Sequence, residues 1–246
     1  MKKLFYCLAG GLLLAGSAQA QARFSIGPSL GGNVSTAHFS DETPTSARAG
    51  FEAGVRGAFQ FGHLAVQPAV LFAQRGFTSK PTFYDVGFGG LTQTSVRLSY
   101  LTIPLQVAYT QHTDGQGFQV AAGPYVSFLV GGKSVADYEF PRAGSFQQEG
   151  SVVAADVHTT DISPYSLKEP DYTFYSRHLD VGAQAGLGYR LGGALLQVSY
   201  SLGLRNVATT ERYTVGGLPQ TYDTDNPAYR NRAFQASLTY LFGVGS

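Results

Sequence analysis

In the stretch "GAFQFGHLAVQPAVLFAQRG", residues 57–76, apolar and polar positions alternate on either side of Gly62-His63. Phe59 and Phe61 share one side of the first run, and Leu64, Val66, Val70 and Phe72 share one side of the second. Gln60, Gln67, Ala69, Ala73 and Arg75 take the opposite side. A period of two belongs to a strand whose two faces meet different surroundings. A two-residue turn at Gly62-His63 sets Phe61 against Leu64, so the apolar faces of the two strands coincide.

Eight runs of this kind follow one another: residues 23–33, 50–61, 64–77, 96–109, 117–131, 177–191, 194–206 and 231–242. Each has one apolar face, such as Leu101, Ile103, Leu105, Val107 and Tyr109 in the fourth, or Leu196, Val198, Tyr200, Leu202 and Leu204 in the seventh. The other face carries Glu52, Arg56, Arg75, Gln106, Gln119, Asp180, Gln184, Arg190, Gln197, Arg205 and Gln235, interspersed with glycine. A soluble sandwich or a lipocalin-like carrier also alternates, with its apolar face inward. Three features point instead to a barrel with its apolar face in lipid.

The connections alternate in length. Short turns at 62–63, 110–116 and 192–193 alternate with long segments at 34–49, 78–95, 132–176 and 207–230. Transmembrane barrels have short periplasmic turns and long external loops. Aromatic residues collect at the two ends of the apolar face: Phe24, Phe59, Phe61, Tyr109, Phe118, Tyr189, Tyr240 and Phe242 at the short-turn end, and Phe51, Phe72, Phe128 and Phe234 at the other. That is the placement of interfacial girdles around an aliphatic band. Finally, the charged face is also the glycine-rich one. In an eight-stranded barrel the side chains fill the interior, so large residues there need small neighbours. Glu52 and Asp180 are expected to be neutralised in the lumen by some of Arg56, Arg75, Arg190 and Arg205, because buried charges persist only when paired. The expected fold is an all-β, eight-stranded antiparallel up-and-down transmembrane barrel.

Composition narrows the setting. Charged residues make up 13% of the chain, against about 25% in average soluble domains. The net charge of +1 gives no basic field for nucleic acid. "MKKLFYCLAGGLLLAGSAQA" has the basic, apolar and small-residue parts of a secretory signal peptide, with cleavage expected after Ala20 or Ala22. Residues 1–20 are therefore assigned to the signal peptide and 21–246 to the barrel domain. Cys7 lies near the start of the apolar run, away from the position of a lipidated cysteine, and leaves with the peptide.

The segments "LAVQPAVLFAQRG", "LSYLTIPLQVAY", "FQVAAGPYVSFLVGG" and "FQASLTYLF" resemble the recurring strands of the PorT-like outer-membrane β-barrel family. The resemblance spans nearly the whole mature chain and is weakest in the long loops. It implies a small eight-stranded barrel in a Gram-negative envelope, inserted by the barrel-assembly machinery and surrounded by outer-membrane lipid. It also implies tolerance of Pro68, Pro104 and Pro124 inside strands, where a bulge or irregular pairing is expected. The PorT name comes from a role in protein export.

Candidate chemistry is sparse. His158, Asp161, Ser163, His178 and Asp180 offer the residue types of a nucleophile–base–acid set without the sequence context of a nucleophile elbow. "DTDNPAYRN", residues 223–231, has carboxylates but lacks the glycine and glutamate of a calcium loop. His38, His63 and His112 are isolated. No catalytic, cofactor or metal residue is assigned. The connection 132–176 is acidic and rich in tyrosine and phenylalanine, consistent with contact to an extracellular or envelope protein or a glycan, or with a shielding extension of the strands. The functional expectation is a non-enzymatic barrel with a structural, surface-contact or PorT-like export role. A small-solute pore, a barrel enzyme and a soluble carrier are the alternatives.

Overall fold

The computed structural model describes residues 23–41, 43–80, 90–141, 148–164, 174–214 and 221–244. The expected signal peptide lies outside the described residues. In chain order the strands are β1 (Arg23–Phe39), β2 (Thr45–Phe61), β3 (Leu64–Ser79), β4 (Gly90–Thr110), β5 (Gly117–Pro141), β6 (Gln148–Thr159), β7 (Ile162–Pro164), β8 (Phe174–Ser176), β9 (Leu179–Leu191), β10 (Ala194–Gly203), β11 (Thr210–Thr214), β12 (Thr221–Asp225), β13 (Tyr229–Tyr240) and β14 (Phe242–Val244).

Eight of these form a ring. β1 to β5 pair in succession, β5 pairs with β9, β9 with β10, β10 with β13, and β13 returns to β1, every pair antiparallel. Closure removes every free edge within the membrane, where an unpaired backbone group has no water to bond. Strict alternation then sorts the side chains. Leu105, Val120, Leu187, Val198 and Leu238 are exposed on the outside, while Gln106, Gln119, Gln197, Ser199 and Thr239 are buried inside.

Two of the short turns rest on glycine in the left-handed region, Gly62 at φ 57° and Gly192 at φ 59°, a conformation that suits tight hairpins and costs other residues energy. The prolines leave their mark on the ladder. Pairing is skipped beside Pro68 between β2 and β3, beside Pro104 between β3 and β4, and beside Pro124 between β4 and β5, yet the register on either side is unchanged. Proline lacks the N–H that would complete the ladder.

The long connections differ from the sequence expectation. Much of 34–49 and 132–176 is strand: β1 and β2 run on to Phe39 and back from Thr45, and β5 continues to Pro141 with β6 paired along its outer part. Between β10 and β13, β11 and β12 form a small sheet with β7. Beyond the apolar band the outward positions are polar, as at Thr36 and His38, so the apolar alternation that marks a strand disappears while the pairing continues. β5 is 25 residues long, far beyond the 9–11 or so needed to cross the hydrocarbon layer. β10 falls short of expectation, ending at Gly203 rather than at residue 206.

Candidate functional site: the lumen and its outer closure

The interior is built in layers. Near the short turns, Gln60 donates to Thr110 Oγ1 at 2.8 Å, and Ala58, Leu195 and Leu241 make a small apolar patch. Midway, Gln67 donates to Gln119 at 3.0 Å, while Gln106 Oε1 accepts from Arg56 at 2.9 Å and from Gln197 at 3.1 Å. On the side of β9, β10 and β13, Gln184 donates to Ser199 at 2.8 Å and to Gln235. Amides suit this position because each carries both donors and acceptors, so amides from different strands can bond one another without net charge.

A charged layer lies further out. Asp180 Oδ2 is 3.9 Å from Arg75 Nη1 and accepts from Asn231 Nδ2 at 3.0 Å and from Tyr125 Oη at 3.4 Å. Asn231 also donates to Tyr100 Oη at 3.1 Å. The Arg75 guanidinium lies against two rings, 5.9 Å from the centre of Tyr100 and 5.4 Å from that of Tyr125. Gly182 makes room for this layer, since a Cβ there would stand 2.6 Å from the Tyr125 ring.

Above it the lumen turns apolar. Phe77, Val96, Leu98, Tyr100, Leu129, Val157, Val207, Ala208 and Tyr229 form one buried cluster with Ala37, and Phe39 and Phe174 pack against it. Val207 and Ala208 reach it because the chain folds inward after β10. Leu204 and Arg205 both donate their backbone N–H to the Val181 carbonyl, at 2.9 and 3.2 Å, which a regular ladder does not allow. Val207 N donates to Tyr229 O at 3.1 Å, and Val207 O accepts from Arg177 N at 2.9 Å and Ser176 Oγ at 3.2 Å. Asn206 Oδ1 accepts from the backbone of Ala208 and Tyr229. The segment is thus latched across the outer mouth by backbone and side-chain hydrogen bonds from β8, β9 and β13.

The six charged residues singled out from the sequence have different fates. Arg75 and Asp180 meet as described. Arg56 is held by Gln106. Glu52 is buried with no ion pair within 4.0 Å among the described residues, and the cations whose field reaches it are Arg75 and Arg56. Arg190 belongs to the turn end, where Nε donates to the Gly192 carbonyl at 3.2 Å. It is ten residues along β9 from Asp180, a distance of roughly 33 Å. Arg205, expected on a strand, lies beyond the end of β10.

The aromatic residues of the short-turn end lie on the outer face and pair among themselves. Ring centres are 4.6 Å apart for Phe24 and Phe59, 4.8 Å for Phe118 and Tyr189, and 4.8 Å for Tyr240 and Phe242. Tyr109 stacks on His63 at 5.6 Å, and Phe61 is exposed nearby on β2. Among the described side chains, the His and Asp residues of the proposed set lie in different surroundings. Asp161 lies 4.0 Å from Arg177, the His178 ring lies beside Phe128, and Asp180 is inside the lumen. Sequence reasoning missed Asn231, Tyr100 and Tyr125 as partners of the charges, although parity places all three on the polar face. It also missed the apolar closure, whose signal was Phe77, Leu98 and Leu129 standing on the polar side of their runs.

The family profile of the outer membrane protein beta-barrel domain matches residues 17–209. The chain belongs to that family. It is a protein of the cell outer membrane. Curated protein sequences give no match. Among solved structures it is similar to Ail, the attachment invasion locus protein of Yersinia pestis, crystallised with the heparin analogue sucrose octasulfate. The identity is 11% over 90% of this chain and 99% of that one, with a TM-score of 0.40. It is also similar to the Neisserial surface protein A, at 13% identity over 89% of this chain and 97% of the other, with a TM-score of 0.35.

Proposed function

We propose that this outer-membrane barrel is non-enzymatic and non-conducting, and that it presents β-structure above the membrane for contact with an extracellular or envelope partner, protein or glycan. The inward-folded segment 204–209 carries the non-conducting part of this reading. A solute path would have to displace Val207 and Ala208 from an apolar cluster in which both are buried, after passing two amide layers and the Arg75–Asp180 layer. In this reading the lumen charges hold the barrel wall together, the aromatic pairs anchor it at the membrane interface, and β5 with β6 forms the projecting surface. The strand resemblance supports a PorT-like secretion-accessory role as the specific form of that contact.

Planar-bilayer recording of the pure, folded protein tests the first part. No steady conductance is expected, and a stable ohmic pore would overturn it in favour of a small-solute channel. Deletion of the gene followed by comparison of exported proteins tests the second. Unchanged export would remove the PorT-like role.

A further inference from the structure

Arg230 and Arg232 stand on the outward face of β13, in parity with the exposed Phe234 and Leu238. Arg232 is two residues beyond Phe234, whose ring packs on Tyr200 at 4.8 Å. Two residues advance a strand by about 7 Å. Aromatic rings of a membrane protein sit at the headgroup level, so the two guanidinium groups stand at and just above the outer edge of that layer. Across the neighbouring strands the partners are polar or apolar: His38 faces Arg230 and Thr36 faces Arg232 on β1, and Leu202 faces Arg232 on β10. Among the described residues no carboxylate lies within 4.0 Å of either arginine. Arg230 uses Nε for the Leu204 carbonyl at 3.2 Å, and Arg232 Nε is buried without a hydrogen-bond partner.

Two cations on one face of one strand repel each other, and nothing described here neutralises them. The other outward-facing basic pair differs. Arg97 and Lys133 are opposed on β4 and β5, but Lys133 is flanked on its far side by Asp156 of β6. We infer that Arg230 and Arg232 bind the phosphate group of an outer-leaflet lipid. Guanidinium forks match phosphate oxygens bidentately, and the adjoining apolar face of Leu202 and Phe234 receives the acyl chains of the same molecule. The inference rests on the outer-membrane location and on the side of the barrel, not on the proposed surface-contact role.

The test is lipid retention by the full, folded protein in detergent micelles, read by native mass spectrometry. The probes are dioleoylphosphatidic acid, dioleoylglycerol (the same tails without phosphate) and inorganic phosphate. Wild type is expected to retain phosphatidic acid and not dioleoylglycerol. Arg230→Gln/Arg232→Gln should retain it roughly thirtyfold less, as two lost arginine–phosphate contacts imply. Arg97→Gln/Lys133→Gln should retain it as wild type does. If the first double variant does not fold, Arg230→Gln and Arg232→Gln are compared singly, each expected to retain less phosphatidic acid than wild type, and equal retention by both overturns the assignment. Retained phosphatidic acid should be released at 1 M salt, where the screening length is about 3 Å. Equal retention by the Arg230/Arg232 variant, equal retention of dioleoylglycerol, or displacement of the lipid by inorganic phosphate at the same concentration would each overturn the assignment, the last in favour of a free-anion site.

Discussion

Arg75 Nη1 stands 3.9 Å from Asp180 Oδ2 inside the barrel, with both side chains buried and the guanidinium set against the rings of Tyr100 and Tyr125. The two residues come from β3 and β9, which are not neighbours in the ring. Their contact therefore braces the barrel across its interior, where backbone ladders do not reach.

Removing one partner leaves the other buried and unpaired. Asp180→Ala is expected to destabilise the folded barrel by about 3–5 kcal/mol. The double variant Arg75→Leu/Asp180→Leu should lose less than the sum of the two single changes, since neither charge is then stranded. Denaturant unfolding in detergent provides the cycle, and strictly additive losses would show that the pair is not coupled.

The orientation of the faces predicts a contrast between adjacent residues. Val198 is 54% exposed on the outer face and Gln197 is 2% exposed in the lumen. Val198→Arg should cost about 2–4 kcal/mol if it lies at mid-bilayer depth, seen as loss of the heat-modifiable folded band after insertion into bilayers. Gln197→Asn leaves the lipid face unaltered and should insert as wild type does. Insertion of Val198→Arg at wild-type yield would reverse the assignment of faces.

The outer closure depends on packing. Phe77 is buried against Tyr229 at 5.6 Å and Phe39 at 5.5 Å between ring centres. Phe77→Ala should cost about 3–5 kcal/mol. It should also loosen segment 204–209, so that protease added outside intact cells cuts there sooner than in wild type. An unchanged cutting rate together with unchanged stability would mean that the cluster does not hold the segment.

Gly182 is where the wall yields to the charged layer. A Cβ at this position meets the Tyr125 ring at 2.6 Å as well as the backbone of Leu202. Gly182→Ala is expected to cost about 1–3 kcal/mol through overpacking. Pairing it with Tyr125→Phe, which keeps the ring, should recover little of that loss. Tyr125→Leu, which removes the ring, should recover part of the loss but not all of it, because the Leu202 carbonyl still stands against the new Cβ. Unfolding midpoints of the three variants distinguish these outcomes.

Strand parity, legible along the chain, is enough to say which side chains face lipid and which face the lumen. A period of two is fixed by strand geometry, and the short turns at Gly62-His63 and Gly192-Gly193 carry the parity across each hairpin. That was enough to place Glu52, Arg56, Arg75 and Asp180 inside and Val198 and Leu105 outside. It did not determine which charges meet. Arg75 and Asp180 lie more than a hundred residues apart, and their contact depends on the stagger of all eight strands around the ring, which no local pattern encodes. Nor could it reveal the outer closure. Val207 and Ala208 follow a strand whose alternation ends at Asn206, a turn residue whose side chain accepts from the Ala208 N–H but whose presence does not say which way the chain then runs. They are carried inward by the irregular hydrogen bonds of Leu204 and Arg205 to Val181 and kept there within one buried cluster to which β1, β3, β4, β5, β6 and β13 contribute. Parity is a property of each strand alone. Pairing across the lumen and closure of its mouth exist only once the ring has formed, because only then do residues from opposite walls share one small, dry space.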